Sequence, residues 1–148
     1  MKHGLRLLVI LGALLSATLA AAQGLPVMEL QAGFHRIEAE VAHTPQARIQ
    51  GLMQRRAMPQ QRGMLFVFPE TEQHCMWMKN TYLPLSVAFL DGDGRIINVA
   101  DMQPHSEENH CAAKPARYAL EMNQGWFARR GLKPGDAIGG IERAPQAR

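Results

Sequence analysis

Residues 63–69 read GMLFVFP, a nearly continuous apolar run that opens on glycine and closes on proline. A run this short, bounded by residues that interrupt regular structure, is better explained as a strand than as a helix, which typically has ten or more residues. Because the side chains between the glycine and the proline are all apolar, the strand should be buried. The rest of the chain is interpreted outward from this strand.

A β-hairpin is predicted upstream of the buried strand. Residues 34–42, FHRIEAEVA, alternate between apolar and charged side chains, which is typical of a strand with one face in water. Residues 27–30 are predicted to form its partner strand, and residues 31–33 the turn between them. The charged face of this hairpin should therefore lie at the surface.

One short helix is predicted at residues 45–56, between the hairpin and the buried strand. Thr44 is a favourable N-cap, and Pro45 fits the first helical position. Apolar residues and arginines then recur at helical spacing. Gly51 costs about 1 kcal/mol relative to alanine inside a helix, which indicates close packing against another element.

The second half of the chain reads as short strands separated by turns. Extended segments are predicted at residues 75–80, 84–90, 95–99, 117–122 and 137–141. Residues 103–115 should form a long loop, residues 125–130 a helical turn, and residues 143–148 a frayed tail. Many short strands with about one helix and no βαβ rhythm predict a mostly-β fold (β-rich α+β), a small barrel or sandwich.

The N-terminal residues 1–22 have the composition of a signal peptide. Lys2 and Arg6 precede an apolar run that is shorter than the ~20 residues of a membrane span, and small residues follow it. Cleavage is expected after Ala22, or else after Ala20, and an uncleaved membrane anchor is the alternative. Cleavage after Ala22 leaves a single domain, residues 23–148, that is exported to the periplasm or secreted.

The charge of the exported part excludes one class of function. Without Lys2 and Arg6, the 16 basic residues fall to 14 against 13 acidic residues, a net charge of +1. No cluster of basic residues with interleaved aromatic side chains is present. The sequence therefore predicts no nucleic-acid partner.

Cys75 and Cys111 are the two cysteines of the chain. In an oxidising compartment an even pair normally forms a disulfide, and this one would close a loop worth about 3–4 kcal/mol. The alternatives are two buried free thiols, or a catalytic thiol activated by His74 or His110. The disulfide is the preferred interpretation.

Several blocks of sequence carry a family resemblance. They are Arg48-x-x-Gly51-Leu52-Met53-x-Arg55, Gly63-Met64-Leu65-Phe66-x-Phe68, Trp77-Met78-Lys79-Asn80-Thr81 with Pro84-Leu85, Leu120-Glu121 and Gly135-Asp136. Together they resemble the domain of unknown function 192 family of uncharacterised exported or membrane-associated bacterial proteins. The resemblance implies a compact, jelly-roll-like β domain and no established reaction. Ser86 stands where that family usually has aspartate, so a shared acid would be missing here or replaced by the hydroxyl.

The block around Trp77 is the first candidate for a ligand-binding site. In an extended strand Trp77 and Lys79 share one face and Asn80 lies on the other, so an indole and an ammonium group could form a platform for a sugar or an anionic ligand. The structural alternative is that Trp77 closes one end of the barrel while Lys79 pairs with an acid such as Glu121.

Glu121 lies between apolar residues of a predicted strand, so it needs a cation nearby if it is buried. Lys79, Arg48 and Arg55 are the candidates, and both arginines border one stripe of the predicted helix. They form either an internal ion-pair network or a bidentate anion site. The candidate ligand-binding residues are therefore Trp77, Lys79, Asn80, Arg48, Arg55 and Glu121.

Two other chemistries are alternatives. His74, Met76, Met78, His105 and His110 include the thioether and imidazole groups that suit Cu(I). Lys79 and Glu121 could form an acid–base site of an enzyme. We expect instead a non-catalytic periplasmic domain that binds a small polar or anionic ligand derived from the cell envelope. No metal, no cofactor and no stable membrane span after signal cleavage are predicted, and the sequence identifies no partner protein.

Overall fold

The computed structural model describes residues 24–148, and the predicted signal peptide, residues 1–22, lies outside them. The strands of the described part are β1 (Val27–Ala32), β2 (His35–Ala42), β3 (Arg62–Glu72), β4 (Cys75–Met76), β5 (Leu85–Leu90), β6 (Ile96–Met102), β7 (His110–Cys111), β8 (Ala116–Asn123) and β9 (Ile138–Gly139). The helices are α1 (Pro45–Gln50) and two 3-10 turns, Ala128–Arg130 and Ile141–Arg143. The fold is mostly β, as predicted.

Seven strands form one curled sheet in the order β6-β5-β8-β3-β2-β1-β9. The two outer strands approach each other at one end, where Arg95 and Ala137 form an isolated bridge. The backbone N–H of Ile138 also donates to the carbonyl of Gly94 at 2.8 Å. These bonds draw the edges together, so the sheet has the barrel-like form expected from its short strands.

Strand β3 lies at the centre of this sheet, which confirms the prediction of a buried strand at residues 63–69. It runs parallel to β2 and antiparallel to β8, with Leu65 opposite Val41 on one side and Leu120 on the other. Leu65 and Val67 face the inside of the curl, whereas Phe66 faces the other side of the sheet. Both faces are covered, which explains why the run is apolar throughout.

Each face of the sheet packs against its own core. The first core is enclosed by the curl and includes Leu30, Ile37, Leu120, Trp126 and Phe127. The second core lies between the other face, α1 and the segment that follows β4, and includes Leu52, Phe66, Met78, Val87 and Phe89. The candidate site borders this second core.

Helix α1 is shorter than predicted. Thr44 caps its N-terminus, since the backbone N–H of Ala47 donates to Thr44 Oγ1 at 3.2 Å, but the helix ends at Gln50 rather than at residue 56. Gly51 follows with a φ of +46°, and its N–H bonds to the carbonyl of Ala47. A Cβ on Gly51 would lie 3.2 Å from the ring of Phe66, so the expected close packing is present. The glycine ends the helix because it tolerates this left-handed backbone.

Other boundaries also differ from the predictions. The extended segment predicted at residues 75–80 is a strand only at Cys75–Met76, and the chain turns at Asn80, which has a φ of +54°. The predicted loop, residues 103–115, contains β7, which pairs with β4. The helical turn at residues 125–130 is confirmed and ends at Gly131.

The prediction of a frayed C-terminal tail is wrong. The backbone N–H of Arg148 donates to the carbonyl of His43 at 2.7 Å, and the side chain of Arg48 donates to the carbonyl of Arg148. Ala144 and Ala147 pack against the first core. The tail is therefore held by both hydrogen bonds and apolar contacts.

Cys75 and Cys111 lie directly opposite each other in the β4–β7 ladder, and a disulfide joins them, as predicted. The bond joins the two strands of a short arm, β4 and β7, each of which has only two residues. Within residues 24–148, no helix has the length and apolarity required to cross a bilayer.

Candidate functional site

Glu121 is a carboxylic acid buried beneath the arm and α1. It sits on β8 opposite Met64 of β3 and Val87 of β5, so its side chain enters the second core. Only 3% of the residue is exposed, and burial raises the pKa of its carboxyl to about 8. Desolvation is the one cause of this shift, and no described residue supplies an ion-pair or hydrogen-bond partner. Glu121 is therefore predominantly protonated at neutral pH.

A small cavity opens over Glu121. It has a volume of about 30 Å³ and lies between α1 with the turn after it and the start of the arm. We call this cavity the deep compartment; its wall includes Glu121, Thr81, Phe66, Met76, Trp77 and Arg48. This cavity has room for water or for a small polar group.

A larger groove of about 470 Å³ adjoins the deep compartment and shares several wall residues with it. Its surface is mainly apolar, and its wall includes Ile49, Met53, Phe66, Phe68, Met76 and Trp77. The ring of His74 stacks on Phe68 at a centroid distance of 3.7 Å and completes one end. The groove and the deep compartment together are called the cleft below.

Trp77 and Lys79 are brought together as the sequence predicts. The Lys79 ammonium lies 5.2 Å from the centroid of the indole ring, and Trp77 is 45% exposed at the wall of the cleft. Lys79 itself lines neither part of the cleft. Asn80 has a different role, because it occupies the turn and its carbonyl accepts a hydrogen bond from the N–H of Gln54.

The two predicted arginines are separated by the early end of α1. Arg48 lines the cleft, but its guanidinium donates to the carbonyls of Val67 and Arg148, both at 3.1 Å. Arg55 forms a bidentate pair with Glu40 of β2, in a separate surface groove. That pair holds the pKa of Glu40 below its usual value. No described cation pairs with Glu121, although Arg48 shares the wall of the deep compartment, so the predicted ion-pair network around Glu121 is wrong.

Ser86 lies outside the cleft. Its β8 partner is Met122, which faces the first core, whereas the neighbouring Val87 is paired with Glu121. Its hydroxyl donates to Asp101, the cross-strand residue on β6, and accepts from the N–H of Gly125 at 2.8 Å. The hydroxyl and Asp101 thus hold the turn after β8, in the place where the resembled family usually has aspartate.

The residues considered for copper lie in different surroundings. Met78 is fully buried in the second core, Met76 lies in the cleft wall opposite His110 in the β4–β7 ladder, and His105 packs edge-on against Tyr82 at 4.8 Å. Among residues 24–148, no group of three or more histidine, cysteine or acidic side chains is placed to hold a metal ion.

Thr81, Met53 and Phe68 belong to the cleft but were not identified as site residues from sequence. Thr81 is buried and its hydroxyl donates to the carbonyl of Lys79 at 3.1 Å. All three lie inside the blocks that carry the family resemblance, and this was the one signal in the sequence that could have indicated them.

Residues 27–140, which include all the wall residues named above, match the model of the domain of unknown function 192, described as an uncharacterised ACR. The chain belongs to the domain of unknown function 192 family. No curated protein shows a significant match to it.

Two solved structures resemble this domain of unknown function 192 protein. A suggested transcription regulator from Sinorhizobium meliloti 1021 is 43% identical, with 74% of this chain and 88% of that chain covered and a TM-score of 0.70. A protein of unknown function from Novosphingobium aromaticivorans DSM 12444 is 34% identical, with 79% and 87% covered and a TM-score of 0.74.

Proposed function

We propose that this protein is a non-catalytic binding domain of the periplasm, and that the cleft holds a small ligand with a polar head and an apolar body. The observation that carries the proposal is the Glu121 carboxyl, which belongs to a residue only 3% exposed, has no partner among residues 24–148 and faces a cavity. A buried polar group without a hydrogen bond costs roughly 1–3 kcal/mol, and native proteins rarely leave one unpaired. A polar head in the deep compartment would supply the missing partner.

The groove supports an apolar body for the same ligand. Ile49 on α1 is 74% exposed and Trp77 is 45% exposed, and both line the groove. Two large apolar side chains in water beside a mainly apolar depression are typical of a surface that becomes covered on binding. The body of the ligand would lie between them.

Export supports the choice of compartment. Residues 1–22 have the composition of a signal peptide, and disulfides such as Cys75–Cys111 persist in oxidising compartments. The disulfide belongs to the arm that carries Trp77, so an oxidising environment would also keep the wall of the cleft in place.

A thermal-shift screen tests the proposal. Small amines, alcohols, sugars and carboxylates are added to the purified oxidised protein, and hits are confirmed by calorimetry. Trp77→Ala should lose at least tenfold in affinity for a confirmed hit, since it removes one wall of the cleft. Tyr82→Ala is the matched control, because Tyr82 is 41% exposed and lines neither part of the cleft. Equal affinity in both variants would reject the cleft as the binding site.

An acid–base enzyme is the second candidate, and one observation favours it. A carboxyl with a pKa of about 8 suits proton transfer near neutral pH. Lys79, its expected partner, does not line the deep compartment, so binding is preferred. Turnover of a cleft ligand that is lost in Glu121→Gln, with the fold intact, would reverse this preference.

A further inference from the structure

We infer that the polar head held by Glu121 is the ammonium group of a primary aliphatic amine, with the apolar stem of the amine in the groove. This inference rests on the proposed function and names the class of its ligand. It replaces the sequence-based expectation of an anion, because the structure places the predicted cations differently from what the sequence suggested.

Glu121 lines the small deep compartment, which shares part of its wall with the groove. A ligand can therefore place a compact polar head beside the carboxyl while its stem lies in the groove. The adjoining groove of about 470 Å³ has room for a stem of several methylene groups.

Apart from Arg48, whose guanidinium donates to the carbonyls of Val67 and Arg148, the hydrogen-bonding groups around the compartment favour a donor. The one proton of the Thr81 hydroxyl is given to the carbonyl of Lys79, so only lone pairs of Thr81 remain for a ligand. Glu121, once ionised, offers acceptors alone. An ammonium group has three donors and no acceptor, which matches these groups better than a hydroxyl does.

The charged groups on the surrounding elements do not prevent an ammonium group from binding at Glu121. They are Arg48 on α1, Arg55 with Glu40 beyond it, and His74 and Lys79 on the arm. None of them contributes to the pKa of Glu121, which is raised by desolvation alone. An entering ammonium is therefore the cation that stabilises the ionised carboxylate, and Glu121 releases a proton to solvent as it binds.

Calorimetry with three probes of equal stem length tests the inference on the full oxidised protein. Hexylamine carries an ammonium, hexanol is neutral and hexanoate is an anion. At pH 7 we expect hexylamine to bind at least tenfold more tightly than hexanol, and hexanoate to bind most weakly. The affinity for hexylamine should rise by nearly tenfold per pH unit from pH 6 until about pH 8, with close to one proton released per amine bound.

Glu121→Gln should abolish both the preference for the amine and its pH dependence, while Glu108→Gln, an exposed acid outside the cleft, should retain them. Nα-acetyl-lysine methylamide is tested beside hexylamine to distinguish a lysine side chain from a free amine as the natural source; tighter binding of either supports the inference. Hexanol or hexanoate bound as well as hexylamine would overturn the inference and leave the cleft a binding site. Failure of all three probes, and of every compound in the earlier screen, would overturn both proposals.

Discussion

Replacement of Glu121 with glutamine should remove a large pH dependence from the stability of the protein. Burial raises the pKa of the Glu121 carboxyl from its ordinary value of 4.5 to about 8 in the folded state. Between these two values the folded protein binds a proton that the unfolded chain does not. The free energy of unfolding therefore falls as the pH rises through this window.

The magnitude follows from the width of the window. Each pKa unit corresponds to about 1.4 kcal/mol, so the wild-type protein should lose roughly 4 kcal/mol from Glu121 between pH 5 and pH 9. That is a large fraction of the 5–15 kcal/mol that typically stabilises a domain. Glutamine has the shape of protonated glutamate and no charge at any pH. Glu121→Gln should match the wild type near pH 5 and exceed it by roughly 4 kcal/mol at pH 9.

Urea unfolding at pH 5, 7 and 9 measures this difference, because the other ionisable groups contribute equally to both proteins and cancel. Glu108→Gln, on the exposed loop before β7, should follow the wild-type pH profile. A stability difference between Glu121→Gln and wild type that stays constant from pH 5 to pH 9 would refute a buried, unpartnered acid.

Three further predictions concern the frame around the cleft. Reduction of the Cys75–Cys111 disulfide should lower the free energy of unfolding by about 3–4 kcal/mol, measured by urea titration with and without dithiothreitol, and an unchanged midpoint would contradict it. Ser86→Ala should lower the free energy of unfolding by about 1–3 kcal/mol, because the Gly125 N–H and the Asp101 carboxylate both lose the hydroxyl that they share. A loss below about 0.5 kcal/mol would count against this role. Gly63→Ala should destabilise the protein by several kcal/mol, or prevent folding, because the new Cβ would lie 2.5 Å from a carbonyl oxygen of β8. Gly92→Ala is the control, because its Cβ would meet nothing within 4 Å, and thermal melts should show it to be nearly neutral.

The sequence predicted those parts of the fold that local patterns specify. The apolar run at residues 63–69 identified the central strand, and alternation identified β2 with its charged outer face. The same alternation in β8 sets Glu121 and Leu120 on opposite faces of the sheet. In each case the two-residue side-chain period of a strand determines which face a residue occupies, and no distant contact needs to be known.

The surroundings of Glu121 were not predictable in the same way. A continuous helix at residues 45–56 would have placed Arg48 and Arg55 along one stripe, but Gly51 ends the helix and turns the chain. Arg55 then meets Glu40 of β2 instead of the cleft. A glycine at this position fits both a helix interior and a helix end in sequence, and its positive φ in the structure identifies the helix end.

The fold does not require a carboxyl group at position 121. Its neighbours across β3 and β5 are Met64 and Val87, and an apolar side chain at this position would pack against both without any cost of desolvation. No described residue uses the carboxyl as a hydrogen-bond partner, so the register and the core are set by other contacts. Where a local choice conflicts with the rest of a consistent fold, function is the usual reason. The proposed ammonium group in the deep compartment would resolve this conflict, because it would turn the same carboxyl from a destabilising group into the group that selects the ligand.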